Sequence, residues 1–128
     1  MQILYSAHWL VPWFILAIGL YATVRFVRAY INESAFTNAD RRLIMIFSGL
    51  MDVQGLTGLI YFIWSAAITG SLPSYRILHG ITMLIAAVIL HFSSLWKDAD
   101  DSTRFINNFY LFLSSFLVML VGISFIPM

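Results

Sequence analysis

Residues 43–68 read LIMIFSGLMDVQGLTGLIYFIWSAAI, an apolar run whose only charged residue is Asp52. A helix needs roughly 20 apolar residues to cross about 30 Å of hydrocarbon. Lipid offers no hydrogen bonds, and a helix closes its own. The run therefore predicts a transmembrane helix. Working outward, three more segments have the same character: about Ile3 to Val24 before it, and about Ile77 to Trp96 and Phe105 to Ile126 after it. The alternating polarity of transmembrane strands is absent. The fold class expected is all-α, an integral membrane up-down four-helix bundle in a single transmembrane domain over residues 1–128.

Composition supports this. Of the 128 residues, 61% are apolar and 10% are charged, against about 25% charged in soluble domains. Such a chain cannot cover a water-facing surface, so the lipid bilayer is its expected partner. A formal net charge of +1 gives no case for nucleic acid. The absence of Cys excludes disulfides, thiolate metal sites, iron–sulfur clusters and thioether-linked haem.

The first segment has no basic residue before its apolar run, and Arg25 and Arg28 follow it. A secretory signal has the reverse order, so the segment is expected to be a mature helix. Asn32 to Ser34 and Thr37 to Asp40 form a polar connection, with Thr37 or Asn38 as candidate cap of helix two. Gly70 to Ser74 breaks the chain before helix three. Lys97 to Ser102 separates the last two helices, with Ser102 as candidate cap. Arg25, Arg28, Arg41, Arg42, Lys97 and Arg104 lie on one side, and only Arg76 lies on the other. This bias predicts cytoplasmic 1–2 and 3–4 loops and outward-facing termini. Trp9, Trp13, Trp64, Tyr75, Trp96 and Tyr110 fall near segment ends, as interfacial aromatics do. Short loops favour antiparallel neighbours, which places helices one and three diagonally across the bundle.

Ionisable residues within membrane segments are costly and mark candidate sites. Four stand out: His8, Asp52, His79 and His91. His8 and His79 open helices one and three and lie at similar depth. Two imidazoles at one level on diagonal helices are what axial ligation of a haem b iron requires. Gly80, and Gly19 with Ala22 on the His8 face, are expected to leave room for the macrocycle. A histidine near the interface also serves simply to hydrogen-bond to water, headgroups or a neighbouring helix. His91 is twelve residues from His79, hence about 18 Å along the axis and on another face. It lies near the depth of Asp52, close enough for a pair or a water bridge. Asp52, His91 and Gln54 are candidates for a proton relay or for support of the ligands; a structural hydrogen bond is the other reading of Asp52. Asn107, Asn108, Ser114 and Ser115 are expected to join helices. No phosphate loop, catalytic triad or HExxH motif is present.

Certain stretches resemble a family. They are His8-Trp9-Leu10-Val11, Phe36 to Leu43 (FTNADRRL), Asp52 to Tyr61 (DVQGLTGLIY), His79-Gly80-Ile81-Thr82-Met83 with His91 beyond, and Gly122-Ile123 leading to Pro127. Together they resemble, over nearly the whole chain, the small bacterial four-helix membrane proteins of the cytochrome b-like type. The resemblance implies a b-type haem with His8 and His79 as iron ligands, in a bacterial inner membrane. The chain departs from the family at Leu78, where related chains often carry an acid before the helix-three His, so support for His79 is unassigned. In layout the chain also resembles the short bacterial protoporphyrinogen oxidases, though their tryptophan-and-lysine signature before the third helix is missing. The leading expectation is a haem b electron-transfer subunit beside a larger respiratory or photosynthetic complex. The alternatives are a cofactor-free accessory subunit and a membrane porphyrinogen oxidase.

Overall fold

A computed structural model describes residues 2–127. Four α-helices follow in chain order: α1 (Gln2–Ile31), α2 (Asn38–Thr69), α3 (Ser74–His91) and α4 (Asp101–Ser124). A 3-10 turn, Phe92–Trp96, follows α3, and there is no strand among the described residues. All four, the third together with the 3-10 turn as Ser74–Trp96, are long and apolar enough to cross a membrane.

The helices run further into the loops than the apolar runs indicate. α1 continues past Val24 to Ile31, carrying Arg25 and Arg28 beyond the apolar stretch. Its end is closed by two bonds, Ser34 N–H to Ala29 O at 2.9 Å and Glu33 N–H to Tyr30 O at 3.2 Å. This pattern needs a left-handed residue, which is usually glycine; here Glu33 takes it, at φ 49°. α2 starts at Asn38 because Thr37 caps it, and the Thr37 side chain accepts from Asp40 N–H while the Asp40 carboxylate accepts from Thr37 N–H. Gly70, left-handed at φ 61°, closes the other end of α2.

Two boundaries differ from the sequence expectation. The α-helical part of helix three ends at His91 instead of Trp96. Ser94 there turns its hydroxyl back to the His91 carbonyl at 3.0 Å, and such local bonds compete with the α ladder. Helix four is capped by Asp100, not Ser102. The Thr103 hydroxyl and N–H both donate to Asp100 and hold its carboxyl below the usual carboxylate range.

Cross-helix pairs run in opposite chain directions throughout. Gly19 meets Phe47 and Gly58 meets His8 between α1 and α2. Ser65 meets Arg76, and Asp52 meets His91, between α2 and α3. Ser115 of α4 bonds the Ala86 carbonyl of α3, and Ser93 of the 3-10 turn that follows α3 bonds Asn108 of α4. α1 also packs on α4, which closes an antiparallel ring of four with α1 diagonal to α3.

The core is unevenly placed. Phe26 and Phe105 are fully buried, and Phe47 and Phe112 nearly so. They stack on one another, with Phe36 from the 1–2 loop over Phe105 at 5.0 Å between ring centres. Arg104 lies on the face of Phe36 at 3.6 Å. Arg25 pairs with the buried Asp40 at 2.9 Å. All of this lies at the end of the bundle that carries the 1–2 and 3–4 loops. At the other end, among residues 2–14, 52–69, 74–85 and 120–127, only Gly122 is fully buried. A Cβ at Gly19 would meet Phe47 at 2.8 Å, and at the other end one at Gly58 would meet His8 and one at Gly122 would meet Thr82 and Met83 just as closely, whereas nothing lies within 4 Å of a Cβ built at the exposed Gly49 or Gly80.

Candidate functional site

His8 owes its setting to Pro12. Proline has no N–H, so Pro12 inside α1 leaves the carbonyl four residues earlier, that of His8, without its helical donor. In a membrane helix a neighbour must supply one. Gln54 of α2 does so: its Nε2 donates to the His8 carbonyl at 2.9 Å and lies 2.9 Å from His8 Nδ1. With both amide hydrogens donated, Nδ1 is an acceptor and the imidazole proton lies on Nε2. The amide oxygen of Gln54 is left buried, with no partner among the described residues. One turn further along α2 is Gly58, where a Cβ would come within 2.8 Å of His8 Cε1. The bare backbone of α2 is what lets the ring lie there. Tyr61 stacks over the other part of the ring, 6.4 Å between centres at an interplanar angle of 16°.

His79 is held from the opposite side. Its Nδ1 donates to the Gly122 carbonyl at 2.9 Å. Gly122 lies in the last turn of α4, where its carbonyl has only the long 3.4 Å bond from Phe125 N–H and can accept a second donor. Donation from Nδ1 leaves Nε2 with a free lone pair, the form in which imidazole binds a metal. A carbonyl on the far nitrogen also raises ligand basicity. A Cβ at Gly122 would lie 2.5 Å from Thr82 Oγ1 and 2.8 Å from Met83 Cε. The close approach of α3 to α4 here therefore requires glycine.

The diagonal pair meets at this open end. The His8 and His79 ring centres are 6.5 Å apart, with planes at 81°. Two metal–nitrogen bonds of roughly 2.0–2.1 Å, with roughly 1.2 Å from each nitrogen to its ring centre, give a separation of roughly 6.4 Å. The spacing thus suits one metal atom between two imidazoles. His79 already has the ligand tautomer. His8 reaches it when the Gln54 amide turns over, so that its oxygen accepts from Nδ1–H, at the expense of its bond to the His8 carbonyl. Room for a flat macrocycle was expected beside Gly19 and Ala22. Those positions lie in the tight end, Gly19 against Phe47 and Ala22 fully buried, while Gly80 lies on an exposed face of α3 with nothing within 4 Å of its Cβ position.

Asp52 and His91 form a separate pair. His91 Nε2 lies 3.1 Å from Asp52 Oδ1. The side chains are 57% and 51% exposed, His91 first, so they face away from the bundle interior. Gln54, two residues on, does not join them; it serves His8. Of the polar residues of helix four, Ser115 bonds to α3 and Asn108 to Ser93 in the 3-10 turn after it. The sequence reading missed Asp40, which is 1% exposed. Its signal was present in Thr37-Asn38-Ala39-Asp40, the spacing of a capping box.

Comparison of the chain with protein-family models, with curated proteins and with solved structures finds no match.

Proposed function

We propose that the protein is a haem b-binding membrane electron carrier, with His8 and His79 as the two axial ligands. The observation that carries this reading is the ring pair: two imidazoles on diagonal helices, 6.5 Å apart, at the one end of the bundle that lacks a packed core. The helices supply the geometry. α1 and α3 bring the nitrogens to one level, and the bare backbone at Gly58 and Gly122 lets the rings and helices close around them. The Gly122 carbonyl orients His79, and Gln54 orients His8. Bound haem would supply one-electron chemistry. A haem held by both histidines would carry electrons rather than bind a substrate at its iron. The connections between helices are short, so a soluble donor has little surface to dock on. A neighbouring membrane complex, respiratory or photosynthetic, is the natural partner. The excess of basic residues around the 1–2 and 3–4 loops supports a cytoplasmic location for them and, in a bacterial inner membrane, an outward-facing haem end.

The test is a reduced-minus-oxidised absorption spectrum of the chain purified with haem supplied. The wild type is expected to give a sharp b-type α band. His79→Ala is expected to lose it while still inserting in the membrane and unfolding cooperatively. An unchanged band in His79→Ala sinks the ligand assignment. A featureless wild-type spectrum sinks the haem reading and favours a cofactor-free accessory subunit.

A further inference from the structure

The Asp52–His91 pair takes no part in the site above. Both side chains are more than half exposed, yet they lie on helices apolar enough to cross a membrane. Asp52 is ten residues beyond Arg42 and seventeen short of Thr69, so it lies roughly 15 Å from the first and roughly 25 Å from the second along α2. Across a hydrocarbon layer about 30 Å thick, neither end of the helix brings it to water. The side chains exposed one and two turns away on the same helices, Leu56, Leu59, Leu84 and Val88, are apolar. Ionisable groups in membrane segments almost always face protein or water. The described residues leave these two half uncovered, so the cover comes from another molecule.

The hydrogen-bonding capacity of the pair is self-complementary. His91 Nε2 lies 3.1 Å from Asp52 Oδ1, and His91 Nδ1 and Asp52 Oδ2 have no partner among the described residues. The two nitrogens of an imidazole point apart, so Nδ1 faces away from the carboxylate that Nε2 holds. The pair bears no net charge when one proton lies between Nε2 and Oδ1 and another on Nδ1, and an apolar medium favours that form over a charged one. Nδ1–H is then a donor and Oδ2 an acceptor. Copies of one chain insert with one orientation, set by the basic residues, so a two-fold axis between them runs along the membrane normal and preserves depth. The two groups share one depth because they are bonded. Such an axis can therefore bring Nδ1–H of each copy to Oδ2 of the other, the reciprocal contact of an isologous interface.

The backbone is open at the same surface. Three glycines within the helices have nothing within 4 Å of a Cβ position: Gly49, Gly55 and Gly80. All three are exposed, and all lie on α2 or α3. Gly49 and Gly55 stand three residues either side of Asp52. Gly80 is eleven residues before His91, hence about three turns back on the same face. On α1 and α4, by contrast, Gly19 and Gly122 are met by neighbouring side chains. Small residues let a second membrane helix approach closely, and the exposed ones gather around the pair.

We infer that the α2–α3 surface carrying Asp52 and His91 is the interface of a two-fold dimer of this chain, with His91 Nδ1–H of each copy donating to Asp52 Oδ2 of the other. The inference stands apart from the haem reading.

The test uses the full chain purified with haem supplied. Sedimentation equilibrium in detergent is expected to show a dimer. The chain has no Cys, so one introduced thiol reports contacts between copies. Leu56→Cys, one turn beyond Asp52, should form a disulfide-linked dimer in phosphatidylcholine vesicles under mild oxidation. Leu117→Cys, exposed on α4 diagonally across the bundle, should not. Replacing Asp52→Leu and His91→Leu together should weaken dimerisation about tenfold or more, because two-fold symmetry counts each lost hydrogen bond twice. Gly55→Leu leaves the pair intact and should also weaken it, by holding the second copy away. Helical content and cooperative unfolding show that each variant has folded. A monomeric wild type, dimerisation unchanged in both variants, or equal cross-linking through Leu117→Cys overturns the inference. A dimer without a b-type band would sink only the haem reading; a band in a monomer would sink only this inference.

Discussion

Replacing Asp40 with Ala probes what holds the tight end together. The carboxylate is 1% exposed and accepts four bonds: from Arg25 Nε at 2.9 Å and Nη2 at 3.2 Å, from Thr37 N–H at 2.9 Å and from the Thr37 hydroxyl at 2.7 Å. It ties the end of α1 to the start of α2 and completes the cap. Breaking a buried ion pair by removing one partner costs about 3–5 kcal/mol. Arg25 is 38% exposed and regains water when released, so the upper part of that range does not apply. Loss of the reciprocal cap contributes about 1 kcal/mol. Together these give an expected loss of about 2–4 kcal/mol for Asp40→Ala. Asp40→Asn keeps an acceptor for Thr37 but loses the charge, and should cost about half as much. The assay is reversible unfolding by dodecyl sulfate in mixed micelles, read by helical circular dichroism. A double-mutant cycle with Arg25→Ala should give a coupling of about 1 kcal/mol or more. A loss under about 1 kcal/mol for Asp40→Ala, or an additive cycle, would refute the reasoning.

Two further substitutions test other particulars. Gly58→Ala places a methyl 2.8 Å from His8 Cε1 and must push the ring aside; haem affinity, measured by titration and the b-type band, is expected to fall about tenfold or more while stability stays within about 1 kcal/mol. Unchanged affinity would argue against His8 as a ligand. Glu33→Gly relieves a left-handed residue at φ 49° and should stabilise the chain by about 1 kcal/mol in the same unfolding assay; a loss would mean that the glutamate side chain makes a contact of its own.

The four helices were legible because a helix that crosses lipid demands a long apolar run, and the alternating pattern of transmembrane strands is absent. Their ends were less so. Hydropathy stops at Val24, but the backbone of α1 runs on to Ile31 because Glu33 and Ser34 close it. The meeting of His8 with His79 followed from depth and diagonal placement, both of which can be counted along a sequence. Gln54 was harder. Its partner is fixed by Pro12, whose missing N–H frees the His8 carbonyl, and that argument needs α1 and α2 to be neighbours in a known register. Asp52 and His91 were expected at one depth, and they do meet. Their outward aspect depends on helix rotation, and the apolar residues of α2 lie too evenly around the helix to reveal it.

The two ends of this bundle are built on different terms. At the loop end, interlocked aromatic rings and the Arg25–Asp40 pair leave no freedom, and a shift of any one group disturbs several others. At the histidine end the helices are joined by single polar contacts: Gln54 to His8, His79 to Gly122, and Arg76 to Ser65. They are backed by fewer buried side chains than the contacts of the loop end. That is the condition under which the Gln54 amide can turn and His8 can change tautomer at small cost. A packed core would fix the ring spacing more firmly and would also resist the turn. On the proposed haem reading, the loose end accepts the ligand between the rings, and the tight end keeps α1 and α3 at the spacing that brings the two rings together.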